Sequence, residues 1–327
     1  MAAAAASAVF PRVPARRGHY ESFYLRACHP REPLGVWIRY TAHKRPGAAA
    51  RGSVWFTLWD PAPRASKVTL DDIAAPPGGW IRVGESTFAP GRAAGSARSA
   101  QCDAAWELAF DPEAARLRHL PADWMYGAPL PRTKTESPAP AAWFRGQLTV
   151  DGRAIAVDGW PGMVGHNWGA EHAERWIWMH AIAFDGAERD WIDVAIGRVR
   201  LSAWTTPWIA SGCARVDGHS HRLGGLWPRR AAQVEERPER CVFALPGRDI
   251  SVHGEIAAPR ERLVAWVYAD PAGGEHNAIN CSIASMWLRV ERSGEPPLEL
   301  HTASNAVYEL GVRERDHGVP LQPFADG

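Results

Sequence analysis

What most constrains this chain is a succession of short segments of alternating or β-rich character, parted by turn signals and almost never interrupted by a helical period. Tyr20–Ala27, Val36–His43 and Ser53–Trp59 come first, with His29-Pro30, Pro46-Gly47 and Asp60-Pro61 as their punctuation. The clearest hairpin follows in Ala142–Val150 and Ala154–Asp158, because the intervening Asp151-Gly152 suits the two-residue turn whose twist matches the strands. Further segments run through Trp191–Val199, Ser211–Val216, Arg240–Leu245, Ile250–Ala257, Leu263–Ala269, Ile279–Glu291 and Leu298–Leu310. Strand-length pieces at such regular spacing predict an all-β barrel or sandwich pair. At 327 residues the chain fits two domains better than one. Between the strands, Asp111–His119 reads as a helical turn or two, and Pro121–Pro140 as a long irregular connection over a pocket mouth.

Composition narrows the partners. The 17 tryptophans fall inside the alternating segments, where large aromatic side chains suit a pleated, half-buried surface. Most belong to a core, and so many also suffice to line an aromatic cavity. A net charge of +1 gives no electrostatic case for nucleic acid or an anionic membrane surface. The five cysteines are widely spaced with no CxxC pair, which argues against a disulfide framework and against a zinc ribbon, and fits a reducing compartment. Met1–Ala8 is alanine-rich without a basic residue ahead of it, so residues 1–17 read as a disordered tail rather than a signal peptide. No run reaches the ~18 apolar residues of a membrane span, so no integral membrane segment is expected and the location is cytoplasmic.

At the centre lies Trp160–His180, with four tryptophans, three histidines, Asn167, Glu171 and Glu174 in twenty-one residues. Pro161, Gly162, Gly165 and Gly169 predict a loop or bulged segment over Trp160–Glu174. From Arg175 the pattern becomes a strand, with Trp176, Trp178, His180, Ile182 and Phe184 on one face. In the first strands Glu21 and Arg39 sit among apolar neighbours. If their faces meet inside one barrel the two charges must pair, and otherwise both face solvent.

Three motifs together carry a resemblance: Phe144-x-Gly-x-Leu-x-Val-Asp-Gly, Gly-His-Asn-Trp-Gly at 165–169, and Trp176-x-Trp178 leading to Asp185-Gly186. They resemble the superfamily of AttH-like proteins and carotenoid 1,2-hydratases (hydroxyneurosporene synthases), related to tocopherol cyclases and fungal Diels-Alderases. The run from Glu275-His276-Asn277 to Asp316-His317-Gly318 is most similar to the AttH-like side. The resemblance spans residues 18–318 and implies two lipocalin-like antiparallel β-barrels packed together: 18–170 and 171–318, with tails at 1–17 and 319–327. It also implies a hydrophobic ligand in or between the barrels. The hydratases carry an Asp just ahead of the central Trp to protonate an isoprenoid double bond. Here Met163-Val164-Gly165-His166-Asn167-Trp168 holds no carboxylate, so carotenoid hydration does not carry over.

Read for chemistry, the central stretch offers His166 and Glu171 as the acid and base. Asn167 would orient a carbonyl, Trp168, Trp176 and Trp178 would form an aromatic wall, and His172 and His180 would complete the substrate site. The bland alternative is that a buried His-Asn-Trp cluster satisfies the backbone of a bulge. No metal is expected, since the spacing of His166, His172 and His180 matches no ligand motif, and His219 and His221 fall at a hairpin tip. There is no Gly-x-Ser-x-Gly elbow and no dinucleotide glycine pattern, so no cofactor is expected. Two functions follow: a cofactor-free cyclase, isomerase or hydratase acting on an isoprenoid or polyketide, or a carrier of such a hydrophobic small molecule. An ionisable side chain pointing into the pocket would favour the enzyme.

Overall fold

The computed structural model describes residues 6–201, 204–225 and 231–326; the first five residues and Gly327 of the expected tails lie outside them. The described chain is all-β, with three 3-10 turns, Phe10–Arg12, Asp123–Tyr126 and Arg260–Arg262, and no α-helix. It forms two large antiparallel sheets on one plan. In the first, Ala62–Leu70, Arg51–Asp60, Gly35–Lys44 and His19–Cys28 make a meander, and Arg153–Gly169 returns to pair with His19–Cys28. Thr133–Val150, Asp103–Pro112, Arg92–Arg98 and shorter strands continue the sheet. In the second, Leu298–Val312 returns in the same way to Arg175–Phe184, the first strand of its own half. An isolated bridge between Leu223 and Gly247 links its edge strand His219–Gly224 to the residue that follows Arg240–Pro246.

The Asp151-Gly152 hairpin is longer than its sequence pattern predicts, joining Thr133–Val150 to Arg153–Gly169. Both turn residues have positive φ, 50° and 80°, the geometry such a turn requires. The expected loop over Trp160–Glu174 is therefore corrected: only residues 170–174 form a bend. Gly162 and Gly165 do not turn the chain but let neighbours approach, since a Cβ at Gly162 would strike the Arg26 carbonyl and one at Gly165 the Tyr24 ring. The helical reading of Asp111–His119 is also corrected, because the segment leaves one strand at Pro112 and passes through the short strand Leu117–Arg118. The irregular connection ends earlier than expected, with the strand beginning at Thr133.

Alternation assigns the two faces of the first strands. Phe23, Leu25, Ile38, Tyr40, Val54 and Phe56 fill the first barrel. The opposite face carries Trp37, Trp55 and Trp59, which pack into the core of the second barrel. Trp55 meets Trp266 at 5.1 Å and Tyr268 at 5.7 Å between ring centroids. Each buried Trp removes ~200 Å² from water, worth ~5 kcal/mol of gross transfer free energy at ~25 cal/mol/Å². The seam is thus a shared core that fixes one barrel on the other. Glu21 and Arg39 are both buried, yet on opposite faces of the sheet, so they neither pair nor reach solvent.

Neither described terminus is a free tail. Phe10 is buried in the first barrel, and the Val9 and Phe10 amides donate to the Glu21 carboxylate at 2.8 and 2.6 Å. At the other end Phe324 stacks on Trp266, and Asp326 pairs with Lys67 at 3.0 Å. Because Lys67 lies in the first barrel's edge strand, the C-terminal segment straps the halves together.

Candidate functional site

Between the barrels lies a cavity of about 410 Å³, a normal size for a small-molecule site. Its first-barrel wall is the outward face of Tyr20, Tyr24, Trp37 and Arg39, with Thr133, Thr135 and Asn167 beside them. The second barrel supplies Trp176, Trp178, Ile196, Tyr268 and Glu309. Leu120, Pro121, Met125, Leu130 and Pro131 of the proline-rich connection line it as well. The lining is chiefly apolar, with polar groups gathered at particular points.

Tyr268 organises one of these points. Its hydroxyl donates to Glu309 Oε2 at 3.2 Å, and its ring lies 3.9 Å beneath the Arg39 guanidinium. Glu309 also accepts from Trp176 Nε1 at 2.9 Å and Asn280 Nδ2 at 3.2 Å, so three donors fix a carboxylate that is only 7% exposed. Arg39 Nη1 and Trp37 Nε1 are buried in the same wall without a hydrogen-bond partner. Two donors left this way cost about 1–3 kcal/mol each unless an acceptor meets them.

A second point lies behind Trp178, whose Nε1 donates to Asp193 Oδ1 at 3.2 Å. Burial works against the Asp193 carboxylate, but His119, 3.4 Å away, and Ser137 hold its pKa below the usual range. His119 reaches the cavity wall itself.

The third point is the bend. His172 stacks on Tyr20 at 4.0 Å and on Trp176 at 5.5 Å. Its main-chain N–H and its Nδ1 both lie 2.8 Å from Asp270 Oδ1. Burial resists ionisation of Asp270, yet His172 lowers its pKa. His276 stands 3.7 Å from Asp270, and burial together with His172 and Arg313 pushes its pKa down to about 4.

Of the residues singled out from the sequence, Asn167, His172, Trp176 and Trp178 meet at the cavity. His166 does not. In the strand Arg153–Gly169 it points into the first barrel, between Glu21 at 2.8 Å and Glu136 at 3.0 Å, with Phe23 stacked on it at 4.0 Å. Burial lowers its pKa, but the two carboxylates more than offset this and raise it. Trp168 covers His166 at 4.4 Å on the same face. Glu171 lies partly exposed in an ion pair with Arg132. His180 is sealed in the seam, its Nε2–H donating to the Pro140 carbonyl at 2.8 Å and its Nδ1 accepting from Arg26 Nη1 at 3.1 Å. Burial, then Arg26, lowers its pKa to about 4.

No family profile matches this chain. It is 27% identical to an uncharacterized protein of Mycobacterium tuberculosis, MT0513 in strain CDC 1551 and Rv0493c in strain H37Rv, over 87% of this chain and 85% of the relative. Three crystal structures superpose over nearly its whole length. A putative AttH of Nitrosomonas europaea has a TM-score of 0.51 at 14% identity, covering 91% of this chain and 93% of its own. Kievitone hydratase from Nectria haematococca scores 0.53 at 10% identity, covering 90% and 89%. CghA, crystallised with Sch210972, scores 0.51 at 12% identity, again covering 90% and 89%. The fold is the AttH-like one. At these identities the likeness establishes the AttH-like architecture, two lipocalin-like barrels, and no reaction.

Within the AttH-like fold, several residues in and behind the cavity wall escaped the sequence reading. Asp193 and Glu309 are single acids inside apolar runs, Trp191–Ile196 and Ala306–Leu310, and that isolation is the signal that would have found them. Asp270 precedes Pro271 and reads only as a turn.

Proposed function

We propose that the chain is an enzyme that moves a proton on a hydrophobic small molecule held between its barrels, by cyclisation, isomerisation or hydration of an isoprenoid or polyketide. The observation that carries this reading is the Tyr268 end of the cavity. There a fixed, buried carboxylate and two buried N–H donors without a partner belong to residues that line a single apolar space. The apolar walls would fold the substrate against this end. Arg39 and Trp37 would donate to a substrate oxygen and stabilise negative charge as it develops, and Glu309 would take the proton from, or return it to, carbon or water. Protein side chains suffice for such a step. The aromatic faces of Trp176 and Trp178 suit a substrate whose charge is spread over several carbons.

The alternative, a carrier, is favoured by the apolar character of the rest of the lining. The five free, buried thiols suit the cytoplasmic location we assign to either activity. No helix among the described residues is long and apolar enough to cross a membrane.

The test is solvent exchange. Wild-type protein loaded with the ligand recovered from it is incubated in deuterium oxide, and the ligand's mass is followed. An enzyme of this kind incorporates deuterium, while Glu309→Gln binds the ligand and incorporates none. No incorporation by a fully loaded wild type would make the protein a carrier.

A further inference from the structure

We propose that His172, Asp270 and His276 form a binding site for a divalent first-row transition-metal ion. One ligand atom from each, two imidazole nitrogens and a carboxylate oxygen, lies within 4.8 Å of the others. Two imidazoles and one carboxylate are a donor set that zinc, iron and their neighbours accept, and three protein ligands leave coordination positions open. His172 comes from the bend between the barrels, and Asp270 and His276 from the two sides of the turn that joins Val264–Ala269 to Glu275–Arg292.

The second, independent observation is His276. The residue is 1% exposed, and neither of its ring nitrogens has a hydrogen-bond partner. His172 Nε2 is buried and unpartnered as well. Orphaned imidazole nitrogens on two rings beside one carboxylate are expensive at about 1–3 kcal/mol each, and a shared cation would take one nitrogen from each ring. The surroundings already resemble a metal's outer shell. Asp270 is tied by the His172 main-chain N–H and faces Arg313 at 3.8 Å, while Tyr20 and Trp176 clamp the His172 ring. An ion here would stand directly behind the cavity wall that His172 forms. It would fasten the 170–174 bend to the Asp270 turn and fix the position of that wall. The proton transfer proposed above does not require it, so the two readings stand or fall separately.

Full-length protein, stripped with a chelator and dialysed, is titrated with cobalt(II) chloride, then with zinc chloride in competition. The expected result is stoichiometric binding with a visible cobalt absorption band that zinc abolishes, and a rise in Tm on loading. Binding should be lost in His276→Ala and in Asp270→Asn, and kept in a His219→Gln/His221→Gln variant that removes the hairpin histidines. A stripped wild type that binds neither ion stoichiometrically would overturn the proposal without any variant. So would binding that survives both His276→Ala and Asp270→Asn, or that disappears with the hairpin histidines.

Discussion

Replacing Glu21 by Gln isolates the buried network that His166 occupies. The carboxylate is fully buried, and desolvation alone would raise its pKa. Hydrogen bonds from His166, His19 and the Val9 amide instead lower it from 4.5 to about 2. A fall of ~2.5 units corresponds to ~3 kcal/mol of folded-state stabilisation at neutral pH, at ~1.4 kcal/mol per unit. With the folded pKa below the unfolded one, this stability is complete above about pH 5 and drains away as pH falls from 4.5 toward 2. Its partner His166 has a raised pKa, so its share is complete below ~6.5 and is lost as pH rises through the higher folded value. Glu21→Gln should therefore cost ~3 kcal/mol between pH 5 and 6.5, about 6 °C in Tm at ~2 °C per kcal/mol for a large domain. Urea unfolding of both proteins at pH 6, 4.5 and 3 measures it. A cost under ~1 kcal/mol at pH 6, or one that grows as pH drops below 4.5, would refute the network's role.

Further expectations follow from packing and from the cavity. Trp55→Ala should destabilise by ~3–5 kcal/mol and split a single thermal transition into two, because the indole carries the first barrel onto Trp266 and Tyr268 of the second; calorimetry reads both. Gly165→Ala should cost ~1–3 kcal/mol by driving a methyl into the Tyr24 ring, and far less when made in a Tyr24→Ala background, a coupling that a double-mutant cycle in chemical denaturation reads. Arg39→Met should leave Tm nearly unchanged while weakening an oxygen-bearing apolar ligand ~10-fold or more relative to its deoxygenated analogue, measured by quenching of tryptophan fluorescence.

The fold was readable because alternation, Asp-Gly turns and tryptophan placement all pointed to one architecture. Asp217-Gly218 is the same device as Asp151-Gly152, with φ of 50° and 78°. The site was harder to read, and the difficulty was parity. In Arg153–Gly169 both faces are buried, so nothing in the pattern says whether His166 or Asn167 looks toward the second barrel. The register with His19–Cys28 decides it. Phe23 opposite His166 faces the first barrel, while Ser22 donates to Asn167 from the neighbouring strand, on the face turned to the second barrel. Glycine misled for a related reason, since Gly165 signals a close approach that becomes visible only once Tyr24 is placed beside it. Beyond Trp178 a second parity change appears. Ala183 has φ of 59° at a bulge, which moves Phe184 to the face of Ile177 and Met179 and out of the tryptophan series expected for it.

The claim on which the rest depends is that the space between the barrels holds an apolar small molecule. Native mass spectrometry of protein exposed to a lipid-soluble extract of its host, with the wild type beside Ala195→Phe, addresses it directly, because Ala195 lines the cavity and a phenyl ring would fill part of it. The wild type should carry a discrete small-molecule mass that organic solvent releases, and Ala195→Phe should fold with the same Tm and carry none. An empty wild type, or equal loading of the two proteins, would contradict the account.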